Sequence, residues 1–242
     1  MNQILVTDKI YVTPELRRKK KMYRVLFIIS VFLMFSLCSA YIYAEFDRNK
    51  EENISKGILT SMNDDTTISD YENALVIQLT QEVIENQEEI AEIDNAFRTA
   101  TATSTYTAPD GKKYDTIGTI NIPKIKVNYP IFAKTSDELL KISTCKFHGC
   151  NPNEVGNLCI VGHNYRNTKF FSKVPTLEMG DIVEITDLSK KTLQYEVYDM
   201  HTVDPSDTKD TTQYTNGKKE VTLITCTNDS KLRVIVKCTE KI

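Results

Sequence analysis

A mainly β fold, an eight-stranded barrel that is closed or nearly closed and carries one or two short helices, is predicted for residues 114–242 of this chain. Two observations predict the barrel. Short runs of β-branched and aliphatic residues recur through the segment, bounded by Pro, Gly, Asn and Asp. Few stretches among them have a helical period, and no internal repeat is visible. A third observation separates this domain from what precedes it: a single long uncharged run near the N-terminus, followed by an acidic, threonine-rich region.

In chain order, residues 1–24 form a basic N-terminus with seven Lys or Arg against two Asp or Glu. "VLFIISVFLMFSLCSAYIYA", Val25 to Ala44, follows without a charge. Twenty residues at about 1.5 Å each make roughly 30 Å of helix, enough to cross a bilayer's hydrocarbon core. Arg17, Arg18, Lys19, Lys20, Lys21 and Arg24 precede the run, and Glu45 and Asp47 follow it. The positive-inside rule then puts the N-terminus in the cytoplasm and the rest of the chain outside, as a single-pass protein of the cell membrane. A cleaved signal peptide is the alternative. It fits less well, because the apolar run exceeds the usual length and its small-residue site at Ser39 and Ala40 lies inside it.

Residues 45–113 are read as an extracellular acidic stalk and linker. The stretch 45–70 is polar, with few aromatics, and reads as a tether. Val76, Leu79, Val83, Ile90, Ile93 and Phe97 then mark a helical stripe over about 75–98. It suits a stalk helix, a short coiled coil or a helix packed on the domain. "TATATSTYTAPDGKK", from Thr99, ends in a Pro-Asp-Gly turn and closes the linker.

From Tyr114 onward, "TIGTINIP" and "VNYPIF" read as strands with prolines at their edges. "TSDELLKIS" is a short helix capped by Thr135 or Ser136. "GNLCIVGH" is a buried strand ending at His163, and "TKFFSKV" a short helix or turn. "GDIVEITD", "TLQYEVYDMHTV", "EVTLITC" and "LRVIVKC" are the remaining strands, the last two joined through Asn228, Asp229 and Ser230.

Residues 116–242 carry seventeen basic and fifteen acidic groups with no basic stripe, which argues against nucleic acid as a partner. Cys38 lies in the apolar run, and Cys145, Cys150, Cys159, Cys226 and Cys238 follow it. Five is an odd number outside a membrane, so at least one is unpaired; a Cys145–Cys150 disulfide stays open. No CxxC occurs and His148, His163 and His201 are irregularly spaced, so no metal and no cofactor are expected.

Cysteines in strands are more often packing than nucleophiles. Cys159 and Cys238, mid-strand without polar neighbours, read as core. Cys226 differs, because it ends a strand and a turn then leads to Arg233 on the next. His163 ends another strand after Gly162. A thiol ionises near pH 8.5 in water and needs a partner to react at neutrality. An imidazole supplies one, and later protonates a leaving amine. Arg233 cannot be a base, but its fixed donors suit a carbonyl or an oxyanion.

"TLITC", Thr222 to Cys226, resembles the TLxTC signature of the sortases, the surface cysteine transpeptidases of Gram-positive bacteria. The similarity extends to "GNLCIVGHN", to Arg233 on the following strand, to the spacing of His163 from Cys226, and to "IGTINIPKIKVNYPIF" and "LEMGDIVEI". It covers Tyr114 to Ile242, and the anchor followed by an external domain is the family's usual topology. The resemblance implies a sortase-like barrel. It implies that Cys226 attacks the threonine carbonyl of an LPxTG-like sorting motif at the C-terminus of a surface protein. An amine of a cell-wall precursor or a pilin lysine then resolves the thioacyl-enzyme. His163 would be the acid and base, Arg233 the oxyanion or substrate ligand, and Thr225 a substrate-positioning residue. The short "TNDSK" turn leans toward a class D-like or class A-like enzyme, and "DPSDTKDTTQY" is where motif choice would be made.

Two other readings remain. "FHGCN" resembles the HGC core of L,D-transpeptidases, with Cys150 as nucleophile beside His148, although Phe147 stands where that motif has Ser or Thr. An inactive sortase-like binding module would lack one of Cys226, His163 and Arg233, and all three are present.

Overall fold

The computed structural model describes residues 14–63, 103–108 and 111–242. It comprises two compact units, Met1–Asn49 and Lys50–Ile242. The helical stripe expected at 75–98 lies outside the described residues.

Helix α1 spans Pro14–Asn63. It contains the uncharged run and is long and apolar enough to cross a membrane. The helix does not stop where the acidic composition begins: residues 45–63, expected as a tether, continue it. The reason lies in the second unit. Ile54, Ile58 and Met62 recur every four residues, on one helical face. There they pack with Tyr106, Tyr114, Phe132, Ile142 and Cys145, and Ile58 is 0% exposed. Ser55 Oγ donates to Ser143 Oγ at 3.4 Å, and Lys169 Nζ lies 2.9 Å from Glu52 Oε2. Docking of this face, rather than intrinsic propensity, accounts for helix where composition alone suggested none.

Among the described residues nine strands follow: β1 Ser104–Thr107, β2 Lys113–Ile122, β3 Val127–Phe132, β4 Thr144–His148, β5 Gly156–Val161, β6 Ile182–Asp187, β7 Thr192–Val203, β8 Lys219–Cys226 and β9 Arg233–Glu240. Their order is β1-β2-β3-β4-β5-β8-β9-β7-β6, and β6 pairs back onto β2. That last pairing closes eight strands, β2 to β9, into a barrel, with β1 added beside the start of β2. Gly118 makes the closure possible. It sits at a bulge where β2 meets β3 and β6 at once, and a Cβ there would collide with the Thr186 carbonyl. Ile120, Ile131, Leu158, Ile160, Leu223 and Val236 are among the residues filling the interior.

A short helix among the described residues, α2 Asp137–Ile142, is capped by Ser136, whose Oγ accepts from the Leu139 N–H at 3.2 Å. Strand β4 was not among the strands read from the sequence. It pairs in parallel with β3 and antiparallel with β5, bringing β5 into the sheet.

Candidate active site

Strands β5 and β8 run parallel, Gly156 opposite Lys219 through Val161 opposite Ile224. The match continues past the end of β5: Gly162 N–H donates to the Ile224 carbonyl at 3.1 Å, and Thr225 Oγ1 donates to the Gly162 carbonyl at 2.8 Å. His163 therefore leaves β5 level with the point where Cys226 ends β8. Strand β9 runs antiparallel to β8 and sets Arg233 directly opposite Cys226. Directly paired residues share one face of a sheet. Below Cys226 and Arg233 on that face lie Ile224 and Ile235, clustered with Cys159, Val161 and Val203. The structure thus brings three of the sequence-predicted residues to one rim, and Thr225 is the buried bolt between two of their strands.

Glycine at 162 has a steric reason. A Cβ there would lie 2.7 Å from the Phe171 ring. The chain leaving His163 folds back so that Phe171 N–H donates to the His163 carbonyl at 3.1 Å, and Phe170 N–H donates to Tyr129 Oη at 3.3 Å. The His163 and Tyr165 rings are 5.0 Å apart, and Tyr165 and Phe170 5.7 Å. Burial of the imidazole holds the His163 pKa below its ordinary value; Asp137 pulls it up and Lys141 pushes it down, both weakly. The neutral ring, the form that accepts a thiol proton, is thereby favoured.

Cys226 is partly exposed, whereas Cys145, Cys150, Cys159 and Cys238 are buried and all six cysteines are free. Burial pushes the Cys150 thiol up to about 12 and leaves it 1% exposed among the barrel's core residues. That removes the nucleophile on which the L,D-transpeptidase reading depended. Cys159 and Cys238 lie fully in the core, as their strand positions predict. Cys145 belongs to the cluster under α1 and Cys150 to the barrel interior. Arg233 Nη1 is buried without a hydrogen-bond partner among the described residues.

The lower part of the same face is covered by the connection from β7 to β8, residues 204–218. Asn157 on β5 holds it: its Nδ2 donates to the carbonyls of Asp210 (2.8 Å) and Thr212 (3.2 Å), while its Oδ1 accepts from Thr222 Oγ1 (2.8 Å). His201 on β7 reaches Asp199 with Nδ1 at 3.0 Å and Asp210 with Nε2 at 2.9 Å. The hydrogen bond to Asp210, then both carboxylate charges, raises the His201 pKa above its ordinary value. Neither anchor was foreseen from the sequence. Asn157 lies within "GNLCIVGHN" but nothing in its residue type marks it as a loop anchor, and His201 pairs with a residue nine positions away across a loop. Among the described residues no group of three or more His, Cys, Asp or Glu has the arrangement of a metal site.

Comparisons with known proteins agree on one family. A sequence profile of the sortase domain matches residues 120–241. No curated protein sequence matches the chain. Among solved structures, a sortase D5 transpeptidase of Clostridium perfringens is 35% identical, with 53% of this chain and 80% of that one covered and a TM-score of 0.49. Sortase C1 of Streptococcus agalactiae (23% identity, 63% and 77% covered, TM-score 0.52) and a lid mutant of sortase A from Corynebacterium diphtheriae (23%, 64% and 93%, 0.51) share the fold. With its profile match over half its length, its closed barrel, and Cys226 and Arg233 paired at one rim beside His163, the chain belongs to the sortase family.

Proposed function

We propose that this protein is a membrane-anchored cysteine transpeptidase that cleaves an LPxTG-like C-terminal sorting motif and joins the released carboxyl end of a surface protein to an amine. The observation that carries this reading is the cross-strand pairing of Cys226 with Arg233 beside the end of the His163 strand. Cys226 loses its proton to the neutral His163 imidazole, and its sulfur attacks the threonine carbonyl. Arg233, whose Nη1 has no hydrogen-bond partner among the described residues, donates to the oxygen as negative charge develops there. His163 returns the proton to the leaving amine, giving a thioester on Cys226. An incoming amine, from a cell-wall precursor or a pilin lysine, then gives its proton to His163, attacks the thioester and releases the thiol. Thr225, buried and spent on the Gly162 carbonyl, positions the two strand ends.

The domain assignment proposed with this function is a cytoplasmic stretch 1–24, an anchor 25–44, an extracellular stalk and linker 45–113, and a catalytic domain 114–242. The short turn between β8 and β9 favours a class D-like or class A-like member. The test uses the full chain in detergent with fluorogenic peptides carrying LPxTG variants and an added amine. Wild type should cleave at least one peptide, show the thioester mass on Cys226, and form the amine adduct. Cys226→Ala should abolish all three. Full cleavage by Cys226→Ala sinks the reading.

A further inference from the structure

One side chain at the rim belongs to none of the roles above. Asn164, directly after His163, uses its carboxamide three ways. Nδ2 donates to the Cys226 carbonyl at 2.9 Å and to Asn228 Oδ1 at 3.1 Å, while Oδ1 accepts the Arg166 N–H at 2.9 Å. The partners dictate this orientation of the amide: two oxygens on one side require donors, and an N–H on the other requires an acceptor. Around it the loop is closed by the Asn164–Phe170 bridge, and Arg166 Nη2 reaches Ser230 Oγ at 3.5 Å. The turn that receives Asn164 is itself folded by Thr227, whose N–H donates to the Leu232 carbonyl at 3.0 Å, and by Ser230 at a positive φ of 62°.

We propose that Asn164 is a positioning residue, whose carboxamide ties the loop carrying His163 to the main chain of Cys226 and so sets where imidazole and thiol meet. The inference rests on the reading of Cys226 and His163 as the reacting pair. The two residues stand at the ends of different strands, where sheet hydrogen bonding ceases, Thr225 to Gly162 being the last link below them. Above that link, Asn164 connects the two directly. It does so through the carbonyl of the nucleophile itself, so a loosened loop and a rotated 226–227 peptide go together. Misplacement of reacting groups by about 1 Å can cost 100-fold in rate.

Aspartate is the decisive substitution. Asn164→Asp keeps the oxygen that accepts from Arg166 and the shape of the side chain, but presents an oxygen to the Cys226 carbonyl and to Asn228 where donors stood. A role confined to the Arg166 turn leaves Asn164→Asp equal to wild type, whereas a positioning role makes it resemble Asn164→Ala. The full chain in detergent is assayed in two ways. Peptide cleavage separates kcat from KM, and iodoacetamide labelling of Cys226, read by mass spectrometry of its peptide, gives a rate against pH that needs no sorting motif. Both Asn164 variants are expected to lower kcat at least tenfold with KM within about threefold. Their labelling profiles should move from that of wild type toward that of His163→Ala. A wild-type kcat and labelling profile for Asn164→Asp overturns the proposal. So do coincident profiles for wild type and His163→Ala, since no pair would then need positioning. If no peptide is cleaved by wild type, the substrate reading fails while labelling still decides Asn164. Should Asn164→Asp misfold, Asn164→Ser, uncharged and too short to keep the bond to the Cys226 carbonyl, tests the same link: a shifted profile supports it and a wild-type profile overturns it.

Discussion

In the role proposed for it, Arg233 is a side chain that favours function over stability. Among the described residues its buried Nη1 has no hydrogen-bond partner, and an unsatisfied buried donor costs of the order of 1–3 kcal/mol. Arg233→Met removes that cost and keeps much of the packing volume. It should leave Tm equal or higher while lowering kcat about 100- to 1,000-fold, the loss typical of an oxyanion donor. A melting curve beside the peptide assay checks both; a lower Tm with activity retained would reverse the assignment. In the proposed mechanism His163 carries the pH dependence. Its folded pKa lies below the unfolded value of about 6.5. Its contribution to stability is therefore complete above the unfolded value and is lost as pH falls through the lowered folded pKa. The acid limb of kcat/KM should accordingly lie below pH 6.5, and His163→Ala should remove that limb with most of the activity. Trp is absent from the chain, so tyrosine fluorescence or circular dichroism is the appropriate probe of unfolding.

At the scale of elements, the loop 204–218 is fastened by a histidine held between two carboxylates. Asp199 comes from His201's own strand, Asp210 from the loop, and Lys237 on β9 faces Asp210 at 3.8 Å. Because the His201 pKa is raised, the clamp is fully present below the unfolded value of about 6.5 and is lost as pH rises through the higher folded value. Amide protection factors in 204–218, which divide out the intrinsic rise of exchange with pH, should fall across that range in wild type, and His201→Gln should show low protection at every pH; protection that does not change with pH in wild type would rule the clamp out. What was legible in the sequence follows the same division. The barrel strands beside prolines and turns could be read because they alternate or cluster β-formers, and the candidate residues Cys226, His163 and Arg233 could be singled out because they sit at strand ends. Strand β4 was hidden: "TCKFH" is short, and its polar Lys146 and His148 are buried, against their type. The docked end of α1 was hidden by acidic composition, although Ile54, Ile58 and Met62 already had the spacing of a buried face. Asn164 could not be singled out, since its role depends on a carbonyl sixty-two positions away.

For the molecule as a whole, the unit Lys50–Ile242 contains both the barrel and the helix turns that cover one of its clusters. Covalently those turns extend the apolar helix, yet their packing belongs to the barrel unit. This makes the point of truncation consequential. A soluble form starting at residue 50 keeps Ile58 on the cluster of Phe132 and Tyr114, and one starting at residue 64 strips it away. Ile58→Ala isolates the largest part of that loss. Truncating a fully buried isoleucine costs about 2–4 kcal/mol, which in a unit of this size lowers Tm by roughly 5–10 °C. The form beginning at 50 should melt near the temperature of the full chain, and the form beginning at 64 at or below that of Ile58→Ala. The anchor contributes differently. In the proposed reading it holds the enzyme at a membrane surface, where membrane-held substrates would meet it at high effective concentration. In solution, therefore, the form beginning at 50 should cleave free peptides with kcat/KM within about threefold of the full chain, while in cells it should fail to anchor surface proteins. Cell-wall fractions from cells expressing each form, probed for a sorting-motif reporter, distinguish the two contributions. Equal anchoring by both forms would show that the apolar helix is needed neither for export nor for confinement, whereas loss of peptide cleavage in the form beginning at 50 would show that the barrel unit needs residues before it.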